Sequence, residues 1–443
     1  MPAFADGPDG PSALELADGG AVQRWSLRAG SSRGAWDFTD ASALDRVDWR
    51  AAVSGEAASA SLALDWQRRL PVGSLSAHAF GRLARTDLAD GSRGIDSFEQ
   101  RLRDCAHGAG IRWTAGGQTI AVAFRGSGRA TQSGFAGAGT SLATVRDDDA
   151  AESALQLSAA TDLPLRGPLR AEASVRHDTF RAQARSGFEA PSGVVSTSAV
   201  SPQLRVRAPL AGGDFFLTLG RGLHAEPRLA IDPRNGTAFA RIDPSALAQT
   251  VEIGFRGRLP FGIETQVSMF RAASDLEILL TGQNAITEFS RPTVRQGVQA
   301  SARYEPAGWL SIDLTAAALR ARYADGAREF VDGAAERNVT AAATMRAPGG
   351  WTAALLVNYL GKRAGLEESA SLRASTFVNA RFTRKLSKST RVTFDVFNVF
   401  DQRLRDVDYF AASRMARAAG SADSYLFNPA EPRGFRLRLR TTF

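Results

Sequence analysis

The chain is 443 residues long, 44% apolar and 23% charged, with 42 Gly and 18 Pro, a balance that excludes a disordered chain and a collagen-like repeat. Its formal charge of +8 comes almost wholly from arginine, since Lys362, Lys385 and Lys388 are the only lysines, so nucleic acid and anionic lipid start as candidate partner classes. One cysteine, Cys105, forbids an internal disulfide, four scattered histidines argue against a dedicated metal cage, and no apolar run approaches the ~18 residues of a membrane helix.

The first ten residues, MPAFADGPDG, have neither a basic n-region nor an apolar h-region. Residues 1–20 are expected to be poorly structured, and an export signal is expected to lie outside this sequence. From residue 21 to 443 no linker divides the chain and its composition stays level, which points to one large repetitive architecture rather than several domains.

Short turn signals recur through that stretch, at Pro71, Gly116, Gly167, Gly212, Pro260, Pro306, Pro348 and Ser387; by subtraction their separations are 45, 51, 45, 48, 46, 42 and 39 residues. Apolar and polar residues alternate around them, which means strands with two unlike faces. About 45 residues accommodate two strands of about ten, a tight turn and a loop of about twenty, the proportions of a transmembrane β-barrel. Soluble sandwiches turn every 8 to 12 residues, and a propeller blade holds four short strands with several turns.

Along the chain, Gly126 to Gly128 and Gly137 to Gly139 resemble pieces of a phosphate loop but have no strand-to-helix setting with a following Lys-Ser/Thr, so they read as turns in a long loop. Asp147, Asp148 and Asp149 read as a solvated loop face. His78, His107, His177 and His224 fall in different periods and carry no catalytic arrangement. The connections Thr179 to Ser201, Arg221 to Gln249 and Asp401 to Pro432 are rich in Gly, Pro, Asp, Arg and Ser and are expected to be the extracellular loops.

Individual strands fit the same scheme. Val251, Ile253, Phe255 and Leu259 share one face, with Glu252, Arg256 and Arg258 on the other; Leu310, Ile312 and Leu314 alternate with Ser311, Asp313 and Thr315. In Trp351 to Tyr359 the odd positions are all apolar with an aromatic at each end, whereas Leu356 and Leu360 blemish the opposite face. Eight residue steps span roughly 26 Å, or roughly 20 Å of height after tilting, so Trp351 and Tyr359 would reach the two membrane interfaces. Trp113, Tyr304, Trp309 and Phe261 flank short turns, as an aromatic girdle at one membrane face would. Two strands at each of eight turns, a first near Ala21 to Gly30 and a last at Arg433 to Phe443 make about 18.

The chain ends RGFRLRLRTTF, with Phe435, Leu437, Leu439, Thr441 and Phe443 on one face and Arg436, Arg438 and Arg440 on the other. Upstream lie VTFDVFNVFD, containing Asn398, Val399, Phe400 and Asp401, then DVDYF at Asp406 to Phe410, and Glu431, Pro432 and Arg433 before Phe435. The order of these motifs resembles the carboxyl end of TonB-dependent outer-membrane receptors, where an N-[LV]-F-D element closes the penultimate strand and E-P-R-x-[FV] enters the last. TFVNARFTRKL and GAAERNVTAAATM resemble earlier receptor strands, so the motifs carry the resemblance over about residues 245 to 443; before that it rests on period.

The resemblance implies an all-β fold, a transmembrane antiparallel barrel of 22 strands in the family, of which about 18 are visible here. It implies a cell outer-membrane location, outer-membrane lipid around the barrel, recognition of the terminal strand by the barrel assembly machinery, a monomer and no cofactor. It further implies uptake of a scarce small-molecule ligand, such as a siderophore-iron chelate, cobalamin or a carbohydrate. Such receptors carry a signal, a TonB-contacting box and a globular plug, none visible in this sequence, so contact with the TonB system is expected only where a plug is supplied. Enzyme chemistry is not expected. Two other classes stay open: a passive or anion-preferring porin-like channel, since Arg256, Arg436, Arg438 and Arg440 are expected to face the lumen, and a non-functional receptor fragment. A soluble sheet binding nucleic acid would need a further layer over its apolar faces, and no amphipathic helix is present to supply one; nucleic acid is therefore not an expected partner.

Overall fold

The computed structural model describes residues 12–20, 22–39, 42–43, 52–90, 96–137, 143–186, 193–225, 245–276, 278–281, 286–289, 291–326, 330–331, 333–364, 371–403, 405–413, 422–429 and 432–441. Its dominant feature is one antiparallel sheet of 19 strands. In order these are Ser12–Gly19, Gln23–Thr39, Ala52–Arg69, Ser74–Asp90, Asp96–Ala115, Gln118–Gly137 and Ala143–Pro164. Next come Arg170–Ser186, Gly193–Leu210, Gly213–Ala225, Ser245–Arg258, Glu264–Ser274 and Thr293–Ala307. The last six are Leu310–Tyr323, Arg337–Ala347, Trp351–Leu360, Ser375–Lys385, Thr390–Phe397 and Gly434–Thr441. Each pairs with its chain neighbours within this set.

All eight expected turns join consecutive strands of this sheet. Several use the left-handed backbone that glycine adopts without penalty: Gly73, Gly116, Gly167, Gly212 and Gly349 all have positive φ. A ninth turn was not anticipated. Gly20 donates its N–H to the Gln23 carbonyl at 2.8 Å, and Ser12–Gly19 pairs along Arg24 to Ser31. The expectation that residues 1–20 are poorly structured is thus corrected from Ser12 onward, and the same strand raises the count from about 18 to 19.

Strand length was also underestimated. Asp96–Ala115 and Gln118–Gly137 have 20 residues each and Ala143–Pro164 has 22, whereas about ten tilted residues cross the hydrocarbon layer. With tight turns fixing one end, the surplus rises beyond the membrane at the other. This absorbs segments expected to be loops. Asp147 to Asp149 and Gly126 to Gly128 lie inside strands, and most of Thr179 to Ser201 is divided between Arg170–Ser186 and Gly193–Leu210. Gly126 and Gly128 leave room for a neighbour's side chain: a Cβ there would stand 2.5 Å from His107 Nε2 and 2.9 Å from Cys105 Sγ.

The long connections carry smaller sheets. Arg405–Ser413 and Ala422–Pro429 form a hairpin within the last of them, and its second strand pairs with Ser42–Ala43, between the second and third barrel strands. The last long loop is therefore hydrogen-bonded to the first. Among the described residues, Ser12–Gly19 and Gly434–Thr441 each pair along one edge only.

Register assigns the faces, because residues directly opposite each other project to the same side. One face carries the exposed apolar residues Leu64, Ile111, Val122, Leu157, Leu204, Leu219, Ile253, Met269, Val298, Leu314, Leu355 and Phe394. The other carries buried polar ones: Ser268 at 1% exposure, Thr293, Ser311 and Asp395 at 2%. Exposed apolar and sheltered polar surfaces invert the arrangement of a water-soluble protein, as expected of a sheet facing lipid on one side and a polar interior on the other. Phe80 and Leu356 are exceptions on the polar face.

Candidate functional site on the polar wall

The polar wall is built from rungs, sets of residues brought opposite one another by strand register. In its first part Arg129 bonds Asp104 directly across, Arg28 reaches diagonally to Asp65, and Arg176 bonds Asp178 two positions along its own strand, each at 2.6 Å. Gln299 donates to Glu252 and to buried Ser268, both at 3.1 Å, and Arg205 donates to Thr218 at 3.3 Å. Arg258 pairs with Glu264 close to a tight turn. A recess of about 790 Å³ near the turns is lined by Arg24, Asp65, His78, Arg112, Gln156 and Ser158. Such a mixture of donors and acceptors suits polar contacts.

The densest charge cluster lies on the last three strands. Asp395 stands opposite Arg381 on one side and Arg436 on the other. Its carboxylate accepts from Arg381 Nε at 2.5 Å, Arg436 Nε at 3.2 Å and Arg438 Nη2 at 3.1 Å. Three charge-assisted bonds compensate the desolvation of a carboxylate this sheltered. One rung nearer the tight turns, Thr383 and Thr393 share a hydrogen bond at 3.2 Å and Thr393 faces Arg438. The next rung is Lys385, Arg391 and Arg440. Arg256 occupies the corresponding face elsewhere, between Asp214 and Gln266 in register.

The lipid-side face of the terminal strand aligns Phe435, Leu437 and Leu439 with Val396, Phe394 and Val392, and Thr441 with Thr390. Phe394 and Phe435 stack with centroids 6.0 Å apart. The three apolar side chains are 65%, 72% and 69% exposed, more open than most because this strand has one neighbour. Phe443 lies outside the described residues, as does Glu431.

The Asn-Val-Phe-Asp motif forms a closed knot at the end of Thr390–Phe397. Asn398 and Asp401 have φ of 47° and 52°, a region in which these residues are several-fold enriched. Asn398 is 1% exposed; its Nδ2 donates to the Gln402 carbonyl at 2.9 Å, its Oδ1 accepts from Gln402 N–H at 3.0 Å, and its own N–H donates to Asn379 Oδ1 at 3.0 Å. Asp401 Oδ1 accepts from the Arg433 N–H at 3.0 Å, so the motif fastens the exit of one strand to the entry of the last, just after Pro432. Phe400 is 67% exposed.

Of the expected girdle residues, Trp113, Tyr304 and Trp351 lie on the apolar face beside tight turns, Trp309 sits within a turn, and Tyr359 lies on the same face at the far end of its strand. The Arg384 guanidinium lies 4.8 Å above the Trp351 ring, a cation–π contact of the kind favoured at interfaces. Sequence reasoning missed Trp25 and Trp66, which stand directly opposite each other near the first two turns. Asp395 was also missed; an acid at an inward position of an otherwise apolar strand, VTFDVF, was the available signal.

No curated protein matches the sequence, but residues 5–399 match the family described as TonB dependent receptor-like, beta-barrel. The match reaches far upstream of the recognised motifs and stops before Pro432. Among solved structures, the ferric yersiniabactin uptake receptor FyuA from Yersinia pestis is similar with a TM-score of 0.74 at 15% identity, covering 98% of this chain and 70% of that one. The siderophore receptor PiuA from Acinetobacter baumannii gives 0.73 at 12% identity, with 97% and 74% covered. The copper transporter OprC gives 0.69 at 12%, with 100% and 79% covered. At such identities the likeness speaks for the fold. Taken with a sheet that is apolar outside and polar within, the family match settles the assignment: the chain belongs to the TonB-dependent receptor β-barrel family, outer-membrane transporters rather than enzymes.

Proposed function

We propose that the chain is the barrel portion of an outer-membrane uptake receptor for a scarce small-molecule ligand of the siderophore-iron, cobalamin or carbohydrate class. Energy would come from the TonB system where a plug domain accompanies the barrel. The observation that carries this reading is the family match over residues 5–399; relatives of similar fold include proteins described as a ferric yersiniabactin uptake receptor, a ferric citrate transporter and a copper transporter. A barrel of this kind supplies a rigid wall, and loops beyond the membrane gather the ligand. Insertion would require lipid around the apolar face and the barrel assembly machinery acting on the strand that ends in Phe443, with a monomer as the product.

A second reading, a passive anion-preferring channel, draws support from the arginine excess of the polar face. One experiment separates the two. The full chain is exported behind a cleavable leader, recovered folded from outer membranes, and titrated with ferric siderophores, cobalamin and oligosaccharides, then placed in a planar bilayer. Saturable binding of one ligand class supports the receptor. Conductance with an anion-selective reversal potential and no saturable binding replaces it with the channel.

A further inference from the structure

The interior cations are balanced unevenly. Elsewhere on the wall several arginines are matched one to one with an acid, as in Arg28–Asp65, Arg129–Asp104, Arg176–Asp178 and Arg258–Glu264. On the inward face of the last three strands, six cations, Lys385, Arg391, Arg440, Arg438, Arg381 and Arg436, share one carboxylate, Asp395. Asp395 is already engaged by three of them. Lys385, Arg391 and Arg440 form a rung in which like charges stand directly opposite one another, and among the described residues they make no ion pair.

Like charges placed opposite on neighbouring strands are unfavourable. An anion shared between them would relieve that repulsion. The strip is compact: three strands spaced about 4.8 Å apart and five residues along each give about 10 by 14 Å. All three residues of the unpaired rung are exposed, so their donors are open to solvent. Guanidinium groups offer paired N–H donors that match carboxylate and phosphate oxygens.

We propose that this strip is a binding site for small multivalent anions, solutes carrying three or more clustered carboxylate or phosphate charges. Lys385, Arg391 and Arg440 would make the primary contacts and Arg438 the next. The proposal depends on the inward orientation of these strands and stands apart from the identity of any ligand taken up by the receptor.

The test uses the full chain folded in detergent micelles, with tripolyphosphate and tricarballylate as probes in isothermal titration at low and high salt. Both probes are expected to bind once per chain, more weakly as salt rises. Arg391→Gln with Arg440→Gln is expected to weaken binding by about tenfold or more, a gap of ~1.4 kcal/mol; Lys385→Gln alone should weaken it less. Arg28→Gln, which removes an arginine already paired with Asp65 and outside the strip, is expected to leave affinity unchanged. Removing mutual repulsion should not impair folding, and heat-modifiable mobility on a gel checks this. Absence of binding by the wild-type chain overturns the proposal, as does equal weakening by Arg28→Gln, which would mean diffuse attraction. Binding of an oligoglutamate peptide but neither small anion would make the strip a protein-docking surface and also overturn it.

Discussion

Replacing Asp395 with Asn keeps the side-chain shape and removes the charge that ties three strands together. The carboxylate is 4% exposed and accepts from three arginines at 2.5 to 3.2 Å. A hydrogen bond to a charged group contributes about 1.5–3 kcal/mol when both ends are sheltered. Here the arginine side chains are 51%, 35% and 43% exposed, so water takes over much of their solvation once the acid is gone. Discounting for that screening leaves an expected loss of about 2–4 kcal/mol, near the lower end of what breaking a buried pair costs. The assay is equilibrium urea unfolding of the chain folded in detergent, combined with Arg381→Gln in a double-mutant cycle. The two changes should be non-additive by at least about 1 kcal/mol, because either one already breaks the 2.5 Å bond. If Asp395→Asn lies within about 0.5 kcal/mol of wild type, or if the two substitutions simply add, the carboxylate does not hold the rung and the reasoning from register and burial fails.

Four other outcomes are expected. Leu355→Arg places a charge in the middle of the lipid-side face and should cost about 2–4 kcal/mol in liposome folding, whereas Thr352→Arg, on the polar face of the same strand, should cost less than about 1 kcal/mol; equal costs would reverse the facing assignment. Gly297→Ala drives a Cβ to within 2.3 Å of the Ala318 carbonyl oxygen and should lose about 1–3 kcal/mol, while Gly34→Ala, with nothing within 4 Å, should be close to neutral in the same unfolding assay. Asn398→Ala strands the Gln402 N–H and forces alanine into a left-handed backbone, for an expected loss of about 2–4 kcal/mol and faster limited proteolysis after Phe400. In a Cys105→Ser background, Ser42→Cys with Phe427→Cys should form a disulfide, since the two are register partners and paired Cα atoms lie about 4.5–5.5 Å apart; failure to cross-link in the folded protein would dissolve the contact between the first and last long loops.

Turn positions were legible because each combines glycine or proline with a sharp break in alternation, a signal confined to a few consecutive residues. Face assignment was legible for the same reason: Leu310, Ile312 and Leu314 declare their side within a single strand. What escaped was either long-range or unmarked. Nothing within Asp147 to Asp149 or Gly126 to Gly128 says that a strand continues past the membrane, because its upper half has water on both sides and no apolar face to keep. Ser12–Gly19 is short and half polar, and it gains its identity from pairing with Gln23–Thr39 rather than from its own pattern. The Asp395 cluster draws on residues 14, 41 and 43 positions away, a distance no local motif spans. Conversely, the Asn-Val-Phe-Asp motif is visible as a pattern, but its physical role, a left-handed knot that captures the Arg433 amide, rests on backbone dihedrals and on a contact 32 positions away.

The number nineteen has a geometric consequence. In a sheet where every neighbour runs opposite to the last, odd-numbered members all point the same way, so Ser12–Gly19 and Gly434–Thr441 descend through the bilayer in a common direction. Laid against each other they would meet as a parallel couple, with slanted and less stable bonding. Two copies in the same membrane orientation fare no better, since either margin of one copy points the same way as either margin of the other.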